Sequence, residues 1–149
     1  MARDQFTDRQ KEAIQQAIAL AELDTSGEIR VHIDKKCKTD PVERAIEVFH
    51  RLEMHKTTQQ NGVLIYLALV DRKLAIVGDK GINAVVPDHF WDDERDLMIS
   101  YFKKGQFTEG LVEGIKKVGE QMKQFFPYIE NDANELSNDV TFGNDEEQV

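Results

Sequence analysis

Apolar residues recur at helical spacing in four stretches of the chain and follow strand patterns in three others. Ala13, Ile14, Ala17, Ile18 and Ala21 stand behind Thr7 and Gln10, which hold capping-box positions; a helix is predicted over about 7–23. The turn-forming run Asp24, Thr25, Ser26, Gly27 ends it. Residues 28–34 (EIRVHID) then alternate, with Ile29, Val31 and Ile33 on one face, as in a strand with one buried side. Asp40, Pro41 and Glu43 supply a cap, a first-turn proline and a first-turn acid for a second helix reaching about 54. Its spacing turns Val42, Ala45, Ile46, Phe49 and Leu52 toward the core. Residues 62–70 are almost continuously apolar and predict a strand buried on both faces. Asp71 and Arg72 form a tight turn into a third strand, 73–77, antiparallel to the second.

The C-terminal half reads as helical. A helix over about 88–103 presents Phe90, Leu97, Met98, Tyr101 and Phe102, and Gly105 breaks it. The last helix, about 108–126, carries Leu111, Ile115, Val118, Met122 and Phe125 and stops at Pro127. Gly110, Gly114 and Gly119 each lower its intrinsic helicity by about 1 kcal/mol relative to alanine, so close packing against a neighbour is the expected compensation. Strands one and two, joined through a helix, should be parallel with a right-handed crossover. The expected class is therefore α/β, a mixed sheet of about four strands with helices on both faces.

Composition narrows the function classes. At 149 residues the chain suits one domain, with 40% hydrophobic and 32% charged residues. Its longest apolar run, VLIYLALV (63–70), has strand length, so no membrane insertion is expected. The opening MARDQFTDRQ lacks the apolar core of a signal peptide, and a chain complete as given is expected to be cytoplasmic. Cys37 is the single cysteine and leaves no internal disulfide. The net charge of −9 is unevenly placed: Glu130, Asp132, Glu135, Asp139, Asp145, Glu146 and Glu147 lie beyond residue 129, with no Lys or Arg. Residues 1–129 are read as the folded domain and 130–149 as an acidic tail, expected to be mobile, whose Leu136, Val140 and Phe142 offer docking points. No basic face exists for nucleic acid or anionic lipid. A monomer is expected.

Three segments, TSGEIRV (25–31), NGVLIYLALVDRKLAIVGDKGI (61–82) and FKKGQFTEGLVEGI (102–115), resemble in this order the TPM domain family. That family includes thylakoid-lumen and photosystem-repair proteins, an acetylcholine-receptor auxiliary protein and many bacterial proteins. The resemblance spans roughly residues 5–128. It implies a Rossmann-like α/β/α sandwich and calcium binding, and for some plant members acid phosphatase activity. Better-known members carry a targeting leader and usually a membrane anchor; this sequence is more similar to the cytoplasmic-looking bacterial subgroup.

Candidate chemistry centres on residues 78–96, GDKGINAVVPDHFWDDERD. If strand three runs back from Asp71, Asp79 reaches the edge where Glu28 opens strand one, with Asn61 before strand two. Asp34 and Asp71 belong to the opposite edge. Calcium takes six to eight oxygens, many from flexible loops. The expected site is a weak, open one for Ca²⁺, with Mg²⁺ also accommodated, built from Asp79 and Glu28 with Asp88 and Asp92 as helpers. The competing reading is that Asp88 caps the fourth helix while Asp92 to Glu94 favour its positive first turn. No His spacing suits a metal, Gly78 and Gly81 lack the lysine of a phosphate loop, and Asp132 to Asn134 departs from an EF-hand. Two functions follow. One is a calcium-binding interaction module that recruits a protein partner. The alternative is a metal-dependent acid phosphatase acting on phosphomonoesters, for which Lys80 and Arg30 are the sparse basic residues near the cluster.

Overall fold

The computed structural model describes residues 5–128 and 136–143. Glu130, Asp132, Glu135 and Asp145 to Glu147, together with the Asp132 to Asn134 segment, lie outside them. Helix α1 (Asp8–Glu22) starts at the anticipated capping box: the Gln10 amide donates to Thr7 Oγ1 at 3.1 Å and the Thr7 amide to Gln10 Oε1 at 2.8 Å. Strand β1 (Glu28–Asp34) follows, then α2 (Pro41–Arg51), whose N-cap Asp40 accepts from the Val42 amide at 3.0 Å. After a 3₁₀ turn at Met54–Lys56 come β2 (Gly62–Ala68) and β3 (Lys73–Gly78). Three helices complete the body: α3 (Lys80–Asn83), α4 (Asp92–Phe102) and α5 (Phe107–Phe125). A last short strand, β4 (Thr141–Phe142), lies in the acidic tail.

The sheet order is β3-β2-β1-β4, with β1 parallel to both β2 and β4 and β3 antiparallel to β2. One face carries Ile29, Val31, Ile33, Val63, Ile65 and Leu67 against Ile14 and Ile18 of α1, Met98 and Phe102 of α4, and Leu111, Ile115 and Val118 of α5. The other face sets Leu64, Tyr66, Ala68 and Ala75 against Ala45, Val48 and Phe49 of α2. Every residue of β2 is buried, as its uninterrupted apolar run requires for a strand covered on both sides. Each fully buried aliphatic side chain contributes about 1.5–3 kcal/mol over its exposed state, so the sandwich rests on these two layers. Helix α5 lies between α1 and α4, and its glycines face both: Gly119 meets Ala21, Gly114 meets Met98 and Gly110 meets Tyr101 and Phe102. A Cβ at Gly119 would sit 2.7 Å from that of Ala21. The helicity lost at these positions is offset by close helix–helix contact.

Three local features depart from the sequence pattern. Helix α2 is turned so that Val42 and Ile46 are 47% and 43% exposed, while Arg44 is buried; the guanidinium goes inward to meet Asp34. The predicted fourth helix begins only at Asp92, because His89 takes a left-handed φ of 62° that keeps 88–91 out of the helix. β4 pairs Thr141 with His32 and Phe142 with Ile33, and places Phe142 6.0 Å from Phe6. Two residues without strand periodicity around them gave no sequence signal for that pairing. Among the described residues, no helix is long and apolar enough to cross a membrane.

Candidate functional site

Strands β1 and β2 begin, and β3 ends, at one rim of the sheet. Glu28 stands opposite Gly62, and the Asp79 amide donates to the Gly62 carbonyl at 2.9 Å, so Gly62 lies between the two acids. Two strand spacings of about 4.8 Å separate their main chains. Strand alternation assigns both to the α2 face, with no side chain on Gly62 between them. Both are buried.

The surrounding turns are tied together. The Asn61 side-chain amide donates to the Ser26 carbonyl at 3.2 Å, and the Glu28 amide donates to the Asn61 carbonyl at 3.3 Å. Ser26 and Thr25 in turn donate to the Phe126 carbonyl, pinning the end of α5 to the 24–28 turn. Asp79 Oδ1 accepts from the Lys80 amide at 2.7 Å. Gly81 donates to the Gln60 carbonyl at 2.9 Å, and a Cβ there would run into the carbonyls of Gln59 and Gln60. The glycine of this acidic stretch thus lets α3 lie directly on the 59–61 backbone and fixes Asp79 beside Asn61.

Three buried side-chain oxygens at this end have no hydrogen-bond partner among the described residues, Ser26 Oγ, Asn61 Oδ1 and Asp79 Oδ2; Glu94 Oε2, on α4 across the sheet, has none either. Their residues are only 4%, 1%, 7% and 1% exposed. Glu94 is placed by helix register. Met98 meets Gly114 and Phe102 meets Gly110, so in this antiparallel pair Glu94 falls opposite Val118, in the helix layer on the sheet face away from Glu28 and Asp79. An unsatisfied buried polar atom costs about 1–3 kcal/mol, and such atoms in native proteins call for water, an ion or a functional explanation. An all-oxygen donor set suits a hard cation. No three His, Cys, Asp or Glu side chains converge as a metal-holding group among the described residues. A cation here would therefore depend on one or two carboxylates plus neutral oxygens, which makes for weak affinity.

The other two sequence-predicted acids lie elsewhere. Asp88 is exposed, and Asp92 is engaged by His89 Nδ1 at 3.4 Å and Arg95 Nη2 at 3.6 Å. Both line a groove beside β3 that Glu28 and Asp79 do not line. Ser26 and Asn61 were absent from the predicted ligand set. The burial of Glu94 had a sequence signal: it stands four residues before Met98 and eight before Phe102, on the buried stripe of α4.

At the opposite rim, Asp34 is saturated. Its carboxylate accepts from Arg44 Nε at 2.9 Å, Tyr66 Oη at 2.6 Å and, at 3.5 Å, Arg44 Nη2, and lies 3.0 Å from His32 Nε2. His32 Nδ1 is 2.7 Å from Thr141 Oγ1. Burial pushes the Asp34 pKa up, but the hydrogen bonds from His32, Arg44 and Tyr66 outweigh it and hold the carboxyl well below the usual carboxylate range. The Tyr66 hydroxyl is pushed far up by burial and by its bond to Asp34. This cluster has no free acceptor to offer a ligand, and its geometry is that of a structural tie between β1, β2, α2 and β4.

A family model described as TPM domain matches residues 2–121. Among solved structures, that of the BA42 protein from the psychrophilic bacterium Bizionia argentinensis is 48% identical, with a TM-score of 0.87, covering 93% of this chain and 95% of that one. The N-terminal domain of a protein from P. gingivalis is 20% identical with a TM-score of 0.65, covering 81% of this chain and 78% of that one, and shows the shared fold alone. No curated protein matches.

Proposed function

The chain belongs to the TPM domain family, and on that premise we propose that it is a divalent-cation-binding interaction module whose ion, Ca²⁺ or more weakly Mg²⁺, sits at the rim of Glu28 and Asp79. One observation carries this reading: the buried, unpartnered oxygens of Ser26, Asn61 and Asp79 at one end of the sheet. Asp79 is the central ligand, held in place by α3 and the Gly81 contact, and Glu28 supplies the second carboxylate across Gly62. Asn61 and Ser26 offer neutral oxygens from the turns that precede β2 and β1. Bound there, a cation would neutralise the buried carboxylates and stiffen the 24–28, 57–61 and 78–82 turns, which gives a partner a defined surface.

Arg30 is the observation that favours phosphoryl chemistry as the second reading. It lies two residues from Glu28 on the same face, half-buried, with a buried Nε lacking a hydrogen-bond partner among the described residues. Burial lowers its pKa, and Asp139 pulls it back up. A phosphate held between this guanidinium and a rim cation would meet the requirement of a metal-assisted phosphatase.

Titration of the protein with Ca²⁺ and with Mg²⁺, followed by amide NMR, tests the proposal. Saturable shifts at 26–29, 61–62 and 78–82, lost in Asp79→Asn, are expected, with no phosphomonoester turnover. Turnover that Asp79→Asn abolishes would replace the module with the phosphatase. Shifts confined to other regions would remove both readings.

A further inference from the structure

We propose that the outer edge of β3 is a docking site for an extended peptide segment of a partner protein, taken up as an added strand. This goes beyond the cation reading and stands without it. The bond from the Asp79 amide to the Gly62 carbonyl sets the phase of the β2–β3 ladder. Residues 73, 75 and 77 bond to β2 in that phase, so the main-chain N–H and C=O of Leu74 and Ile76 point away from it. At Gly78 the edge is closed, because Asn83 Nδ2 donates to its carbonyl at 3.1 Å. Among the described residues, β3 ends the sheet.

Natural edge strands are guarded by proline, by outward charge or by a covering element. Among the described residues, Leu74 to Val77 carries none of these, and Lys73 is drawn off toward the carbonyls of Cys37 and Thr39. A groove of about 320 Å³ runs along Leu74 to Ile76, walled by the half-exposed Val42 of α2 on one side and the 86–92 turn on the other. That recess selects the occupant. A second copy would bring an edge set between the same two walls, and two recessed edges cannot meet; a bare extended segment enters. The molecule already accepts such a segment at the far edge of the same sheet. There β4 pairs through only two residues and inserts Phe142 beside the core. Exposed Asp88 on the 86–92 wall selects for basic residues on that side of the added strand, and Val42 on the other wall for the apolar residues that alternate with them.

The test is an amide NMR titration of the full chain with an end-blocked synthetic peptide alternating valine and lysine. Saturable shifts at Leu74, Ile76 and the 86–92 turn are expected, with slowed hydrogen exchange at the Leu74 and Ile76 amides. Ile76→Pro deletes an outward donor without removing a bond to β2, and should weaken binding by about tenfold or more, the loss of one backbone hydrogen bond and its associated contact. Val42→Lys leaves β3 untouched and should weaken the same peptide by replacing the apolar wall that its valines face with a charge, so the proposal is tested even if the proline variant fails to fold. No saturable shift at Leu74 and Ile76, or equal binding by both folded variants, overturns it. Shifts at those amides on raising protein concentration without peptide would make the occupant a second copy, and would equally overturn it.

Discussion

Asp34 and Asp79 are both buried carboxylates at strand ends of one sheet, and their surroundings differ sharply. Asp34 is enclosed by Arg44, Tyr66 and His32, whereas Asp79 has one oxygen on the Lys80 amide and another that meets no donor. The contrast separates two uses of buried polarity. A saturated network ties elements together and is costly to break, because removing one partner strands the others. A rim of unmatched oxygens works against stability in the isolated chain and is expected where a ligand completes the set.

The largest effect should come from breaking the saturated end. Asp34→Asn leaves the Arg44 guanidinium buried without its full counter-charge and should cost about 3–5 kcal/mol in urea unfolding. The same network predicts an acid response. The folded-state pKa of Asp34 is depressed, so its contribution is fully present above the unfolded pKa near 4 and is lost as pH falls through the range below it. Wild type should lose stability steadily below about pH 4, and Asp34→Asn should show a flatter acid limb. Gly81→Ala comes next: its methyl group meets backbone carbonyls rather than a yielding side chain, so about 1–3 kcal/mol is expected, together with a displaced Asp79. The smallest stability change belongs to the unmatched rim. Without added cation, Asp79→Asn should fall within about 1 kcal/mol of wild type, on either side, since it removes the charge of a carboxylate with one unmatched oxygen.

Much of this architecture was legible from patterning. The capping box at Thr7, the alternation of 28–34, the apolar run of β2 and the glycines of α5 each have a local physical cause, and each predicted its element. The common rim of Glu28 and Asp79 followed from one reversal after Asp71. What lay outside that reach depends on tertiary context. Arg44 occupies the inner face of α2 because Asp34, ten residues earlier, draws it in, and this displaced Val42 and Ile46 from the expected core. Glu94 sits on a buried stripe, yet an acid in a first helical turn has an ordinary explanation in the helix dipole, so periodicity and charge pointed in opposite directions. Ser26 and Asn61 read as turn residues, and only the three-dimensional count of donors shows that their oxygens are left over.

The most direct measurement is the urea unfolding midpoint with and without Ca²⁺ for wild type, Asp79→Asn and Asp34→Asn. At ten times the dissociation constant, bound ion should stabilise wild type by about 1.4 kcal/mol. The account predicts the same gain in Asp34→Asn on its lowered baseline, and none in Asp79→Asn. A calcium gain in Asp79→Asn equal to that of wild type would contradict the assignment of the unmatched rim as the cation site.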